Sequence, residues 1–205
     1  HELQRLLPVL KELASWGVPV SVDTYKPAVM RAALEAGATM INDITGMISP
    51  EALSVVAESD CAVCVMHMQG EPGTMQQAPQ YQNVVAEVRS FLTDAVERCR
   101  QAGIADQRIV VDPGFGFGKT LNHNLDLFSA LTVAGVGELP ILVGLSRKSM
   151  LGVITGRPVG ERLAGSVAAA LLAAQKGAKI LRVHDVAATR DALAVWAAIE
   201  QREQE

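Results

Sequence analysis

The sequence predicts an α/β fold, a (β/α)8 barrel lacking its first two strands in this chain, and three observations predict it. Short continuous apolar runs alternate with stretches of helical period, as in a parallel sheet buried on both faces. Most of the runs end on a polar residue: Asp23, Asn42, His67, Asp112, Ser146 and His184. A full barrel takes about 250 residues, roughly 30 per βα unit, and the 205 here accommodate six units and a leading helix.

The chain opens in that helix, with Leu3, Leu6, Leu7, Leu10 and Leu13 at helical spacing until Gly17 and Pro19 break the pattern. Strands are expected at 19–24, 39–44, 62–67, 108–112, 141–144 and 180–184. Between and after them, helices are expected at 26–35, from Ser49-Pro50-Glu51 onward, at 83–100, 124–131, 161–175 and 187–199. A complete doubly wound six-stranded sheet is the rival topology. The opening helix, with no strand before it and His1 in place of a starting methionine, favours the incomplete barrel. Residues 1–205 then form one domain, with unpaired edges at the first and last strands that would make the chain poorly soluble and inactive alone.

With 49% hydrophobic and 20% charged residues, a net charge of -4 and no apolar run of membrane length, the composition is that of a globular domain. Nothing basic or aromatic-basic marks a nucleic-acid or membrane partner. Cys61, Cys64 and Cys99 are too few for a disulfide framework and fit a reducing, cytoplasmic setting. Cys61 and Cys64 have metal or redox spacing, but residues three apart on a strand face opposite ways, so a structural role is expected.

Three motifs carry the chemistry. Asp112-Pro-Gly-Phe-Gly-Phe-Gly-Lys119 follows a strand, its glycines allowing close backbone approach to a ligand and its phenylalanines offering an apolar wall; a tight turn is the plainer reading. It lacks the spacing of a Walker loop. Gly144-Leu-Ser-Arg-Lys-Ser149 places cations and hydroxyls past the next strand, for an anion or carbonyl or as a solvated loop. Arg182 and His184, two apart on the last strand, would point the same way toward a phosphate. Asp23, Asn42 and Asp112 add acceptors and an amide, suited to a flat heterocycle with adjacent N–H donors and a diphosphate.

The stretches Ser21-Val-Asp-Thr24, Ile41-Asn-Asp-Ile44, Met66-His-Met-Gln-Gly70, Asp112 to Lys119, Ser146-Arg-Lys-Ser149 and Arg182-Val-His-Asp185 resemble, in order, the motifs of the dihydropteroate synthase family. The resemblance implies a Mg2+-dependent (β/α)8 barrel of folate biosynthesis, the sulfonamide target, which joins 6-hydroxymethyl-7,8-dihydropterin diphosphate to 4-aminobenzoate. It implies that Asp23, Asn42, Asp112 and Lys148 hold the pterin with Met66 and Phe117 nearby. Arg182 and His184 would take the diphosphate, and Ser146 would lie near the aminobenzoate carboxylate. The family's Asn-Val-Thr-Pro-Asp-Ser-Phe and Ser-Thr-Arg-Pro-Gly type motifs are absent; the first supplies an asparagine associated with the metal, so no metal ligand is expected in this chain. A pterin-binding methyltransferase or a binding-only fragment is the alternative. The 161–175 helix is apolar on every side, from Ala164 and Val167 to Ala174, so a homodimer through the C-terminal helices is expected.

Overall fold

Each apolar run forms a strand and each periodic stretch a helix in the computed structural model, which describes residues 1–203. In chain order these are α1 (Glu2–Ser15), β1 (Ser21–Asp23), α2 (Pro27–Glu35), β2 (Met40–Asp43), α3 (Pro50–Ala57), β3 (Ala62–Met66), α4 (Val84–Gln101) and β4 (Ile109–Asp112). There follow α5 (Leu121–Ser129), α6 (Leu131–Ala134), β5 (Leu142–Val143), α7 (Ser149–Thr155), α8 (Leu163–Gln175), β6 (Ile180–Leu181) and α9 (Val186–Glu203).

The strands pair in parallel and in chain order, β1 to β4, and a bridge from Val111 to Ile141 carries the sheet on to β5 and β6. Sequential order is that of a barrel; a doubly wound sheet reverses its order at a switch point. The sheet curls, because Arg182, one residue past β6, reaches Asp23 on β1 with a 3.3 Å contact. Among the described residues β1 and β6 do not pair with each other.

Alternation sorts the strand residues into two faces. Val22, Ile41, Val63, Val65, Ile109, Val111 and Val143 pack outward, in one core with Leu10, Met30, Val56, Leu92 and Leu127 of the helices. Cys64, Val110 and Leu142 form a second, smaller apolar group with Met40 and Ile180. These point inward and make the floor of the curled sheet. The cysteines are buried and free, with Cys61 before β3 and beside the Ser59 hydroxyl, so their spacing serves packing.

The structure adjusts several boundaries. The helix expected from Asn124 starts at Leu121, because the Thr120 hydroxyl caps it by accepting from the His123 N–H at 3.2 Å. Two further helices appear, α6 beyond a break at Ala130 and α7 after Lys148, the latter closed by Gly156 at φ 68°. The helix expected from Glu161 begins at Leu163. The last strand stops at Leu181. Arg182 and His184 therefore do not share a strand: both lie beyond β6, where the Arg182 N–H makes a last ladder bond to the Val143 carbonyl at 2.9 Å and the His184 N–H turns instead to the Ser146 hydroxyl.

Candidate active site

Two residues beyond the apolar floor, β2, β4 and β6 turn polar, at Asn42, Asp112 and Arg182, while β3 ends on Met66 and β5 gives way to Gly144. Register places Asp23 beside Asn42, Asn42 beside Cys64, and Met66 beside Asp112. All lie on the inward face, where ligands of such barrels bind.

Asp112 is the most enclosed of these acids, 2% exposed. Its Oδ1 accepts from the Gly114 N–H at 2.7 Å, and its Oδ2 faces the Arg182 guanidinium at 3.5 Å. Burial pushes its pKa up, opposed by Lys148, the Gly114 N–H and Arg182. The same guanidinium reaches Asp23 Oδ2 at 3.3 Å. Asn42 is 2% exposed; it lies close enough to Asp23 to help hold that carboxyl's pKa down, yet neither its amide nitrogen nor its amide oxygen makes a well-formed hydrogen bond. A buried amide left this way costs about 1–3 kcal/mol, which suits a group kept for a ligand.

The loop after β4 is held from all sides. Five consecutive carbonyls accept side-chain donors: Gly114 and Phe117 from Lys119, Phe115 from Lys148, Gly116 from Gln76, and Gly118 from the Tyr81 hydroxyl. Asn124 accepts from the Gly116 N–H at 2.8 Å. Gly114, Gly116 and Gly118 have φ of 69°, 77° and 60°. A Cβ on Gly114 would also strike the His67 carbonyl. The glycines thus serve the turn and its packing on the β3 loop. The two phenylalanines part: Phe115 is fully buried against Phe128, with ring centroids 5.9 Å apart, and Phe117 alone lines the mouth. The Lys148 ammonium stands 4.6 Å over the Phe117 ring. Burial lowers its pKa to about 8, with Asp112 pulling the other way.

Past β5 and β6, the Ser146 hydroxyl accepts from the His184 backbone N–H at 3.2 Å and lies 3.0 Å from its Nδ1. Arg147, at φ 59°, forks onto Asp185 at 3.1 and 2.6 Å and ties the same two turns together. Asp23, Asn42, Met66, Asp112, Phe117, Lys148 and Arg182 are thus gathered at one mouth, with Ser146 and His184 on its β5–β6 side.

His67 departs from expectation. It shares the outward parity of Val63 and Val65 and packs beneath α4, 5.0 Å from the Phe91 ring. Its Nδ1 lies 2.9 Å from the Lys119 ammonium. Lys119, which the sequence shows only as the end of the glycine-rich stretch, is 3% exposed, and a buried ammonium of this kind needs the partners it finds here. Gln76 and Tyr81 carry no local signal, because each reaches the loop after β4 from a distant part of the chain, whereas Asn124 folds back onto Gly116 from the first turn of α5.

Residues 1–184 match the family described as pterin binding enzyme. Over 196 residues the chain is 49% identical to the dihydropteroate synthase of Escherichia coli K12, covering 95% of this chain and 70% of that protein. Its structure is similar, at a TM-score of 0.94 and 51% identity, to Burkholderia cenocepacia dihydropteroate synthase complexed with 7,8-dihydropteroate, over 99% of this chain and 75% of that one. It is similar too, at a TM-score of 0.93 and 48% identity, to the Thermus thermophilus enzyme in complex with 4-aminobenzoate, over 97% and 77% of the two chains.

Proposed function

The chain belongs to the pterin-binding enzyme family, and from that premise we propose how its strand ends serve the dihydropteroate synthase reaction. It is a transferase of folate biosynthesis that joins 6-hydroxymethyl-7,8-dihydropterin diphosphate to 4-aminobenzoate, giving 7,8-dihydropteroate and pyrophosphate.

The observation that carries the assignment of roles is Asn42, a buried amide with a donor and an acceptor unspent beside the Asp23 carboxylate. A pterin's aminopyrimidinone edge offers adjacent N–H donors and a carbonyl. Asp112 takes the donors, Asn42 supplies the mixed pair, and Asp23 closes the edge. Met66 and Phe117 flank the ring, and the Lys148 ammonium serves the carbonyl side. Arg182 and His184 take the diphosphate.

The C–O bond to the leaving diphosphate breaks, and a C–N bond forms as the arylamine attacks the pterin methylene and then sheds a proton. These residues assist by orientation and by stabilising the negative charge that gathers on the departing group. Ser146, proposed near the aminobenzoate carboxylate, already accepts from the His184 backbone N–H and lies against its Nδ1. Contact with that carboxylate competes with this pair.

Magnesium is part of the proposal for the reaction. This ion takes few protein carboxylates and keeps water and phosphate oxygens as ligands. No group of three or more His, Cys, Asp or Glu gathers among the described residues. Asp23 and Asp112 are moreover engaged by Arg182. The ion would be held chiefly by water and diphosphate oxygens, and no step here runs through it. A homodimer and a cytoplasmic setting complete the proposal. Exposed apolar residues on α7 to α9 support the first and three free buried cysteines the second. No helix among the described residues is long and apolar enough to cross a membrane.

Calorimetric titration with the pterin diphosphate, followed by a turnover assay with 4-aminobenzoate, tests the reading. Saturable binding at one site is expected, and its absence would overturn the site.

A further inference from the structure

Arg147 stands between two residues of the mouth in a conformation that its side chain disfavours. Its φ of 59° lies in the left-handed region, which crowds a Cβ and suits glycine. The turn parts its neighbours. Ser146 goes to His184 on the β6 side, while Lys148 goes to the Phe115 carbonyl and the Phe117 ring on the β4 side. A backbone held this way persists only where its surroundings fix it.

α8 and its N-cap supply that hold. The Arg147 N–H donates to the Ser166 hydroxyl at 2.9 Å, and that hydroxyl donates in turn to the Arg162 carbonyl at 2.7 Å. The Arg162 guanidinium returns to the Arg147 carbonyl at 2.9 Å, so one end of α8 takes both backbone polar groups of Arg147. A second N–H of the same guanidinium donates to the Arg157 carbonyl at 3.0 Å. Gly152 of α7 makes the room, since a Cβ there would strike the guanidinium. Ser166 is 3% exposed, and the other buried positions of α8 are Ala169, Ala170 and Ala173. On that face alanine would pack as well as serine and favour the helix more. What serine adds is the hydroxyl, and the hydroxyl is spent on Arg147.

We propose that Ser166 is a positioning residue of the substrate site: through the Arg147 backbone it sets Lys148 for the pterin ring and Ser146 for its contact with His184. The inference rests on the pterin reading above and deepens it. Ser166 itself touches no substrate. Without its hydroxyl, Arg147 relaxes toward ordinary backbone angles, and Lys148 and Ser146 lose their aim together. A glycine at 147 would need no such support.

That asymmetry gives the test. Calorimetry measures pterin diphosphate binding to the 205-residue chain, to Ser166→Ala, to Arg147→Gly and to the double variant, each checked for a cooperative melt. Ser166→Ala should bind at least about fivefold more weakly than the native chain. In the Arg147→Gly background, where both proteins compared lack the fork onto Asp185, the same substitution should change affinity by less than about twofold. A serine that merely supports the fold would weaken binding alike in both backgrounds, and that result would overturn the proposal. So would native affinity in a folded Ser166→Ala. Arg162→Met removes the donor to the Arg147 carbonyl and leaves Ser166 in place. It should lose affinity in the same way and decides the matter if Ser166→Ala does not fold; native affinity in this variant also counts against the proposal. A native chain that binds no pterin diphosphate would bring down the pterin reading, and the proposal with it.

Discussion

Lys119 Nζ lies 2.9 Å from His67 Nδ1, and with the Gly114 and Phe117 carbonyls at 2.8 and 3.1 Å it forms the buried clasp of the loop after β4. An ammonium donates, so the ring nitrogen accepts and His67 is neutral. Burial, with the Lys119 charge added, lowers its pKa to about 3. Burial lowers Lys119 itself to about 7, against the pull of Asp112.

A lysine with a lowered folded pKa binds fewer protons folded than unfolded between that pKa and its ordinary 10.5, so stability rises with pH across the interval. Lys148, at about 8, acts in the same direction. Burial raises the thiols of Cys64 and Cys99 and the Tyr81 hydroxyl, which oppose the trend at higher pH. The melting temperature should therefore climb from about pH 7 to about pH 8.5. In Lys119→Met the climb should be shallower, on a protein destabilised by the loss of three partners. A slope that the substitution leaves unchanged would show that Lys119 does not titrate there.

Asp112→Asn keeps the shape of the side chain and exchanges one acceptor for a donor. Its remaining oxygen can still take the Gly114 N–H, so the new amine faces Arg182 and the pterin's own donors. Unpaired buried donors cost about 1–3 kcal/mol, more where charge is involved. Affinity for the pterin diphosphate should fall at least about tenfold while the circular dichroism spectrum is preserved. Unchanged affinity would remove Asp112 from the pterin subsite.

Asn42→Leu separates function from stability. Neither polar atom of the amide makes a well-formed hydrogen bond at 2% exposure, so an apolar side chain of similar size relieves a desolvation cost. The variant should melt at or above the native temperature, by up to about 1–3 kcal/mol of stability, yet bind pterin poorly. A clear loss of stability, read by denaturant titration, would mean that the amide is satisfied in solution.

How far the sequence could be read follows from what alternation can and cannot say. The order of strands and helices was legible because apolar runs and helical periods differ in kind. Which strand residues face inward was not. A strand buried on both sides, such as Ala62–Met66, is apolar at every position and so carries no trace of its two faces. His67 was accordingly expected at the mouth and lies outside it. The six polar strand ends were a good guide wherever parity was favourable, as at Asp23, Asn42 and Asp112. α7 escaped because seven residues with a glycine inside show too few turns for a period to emerge. The loop after β4 was recognised by its glycines, but its clasp depends on Gln76, Tyr81 and Lys148, whose approach only the folded chain defines.

The last expectation concerns self-association. On α8 the buried positions are Ser166, Ala169, Ala170 and Ala173, one stripe against the sheet and α9. Its other apolar positions remain outside: Leu163 and Leu172 are each 48% exposed, and Val195 and Ile199 of α9 are 63% and 55% exposed. Val153 and Ile154 of α7 are uncovered as well. Large apolar side chains concentrated on three consecutive helices are uncommon on a monomer surface and more usual where a partner sits. The homodimer proposed above would cover them. Sedimentation should then give a concentration-dependent dimer, and Leu172→Glu with Val195→Glu should shift it to monomer without lowering pterin affinity, since neither residue approaches the strand ends. A chain that stays monomeric at high concentration, or a doubly substituted chain that still dimerises, would place the contact elsewhere or remove it.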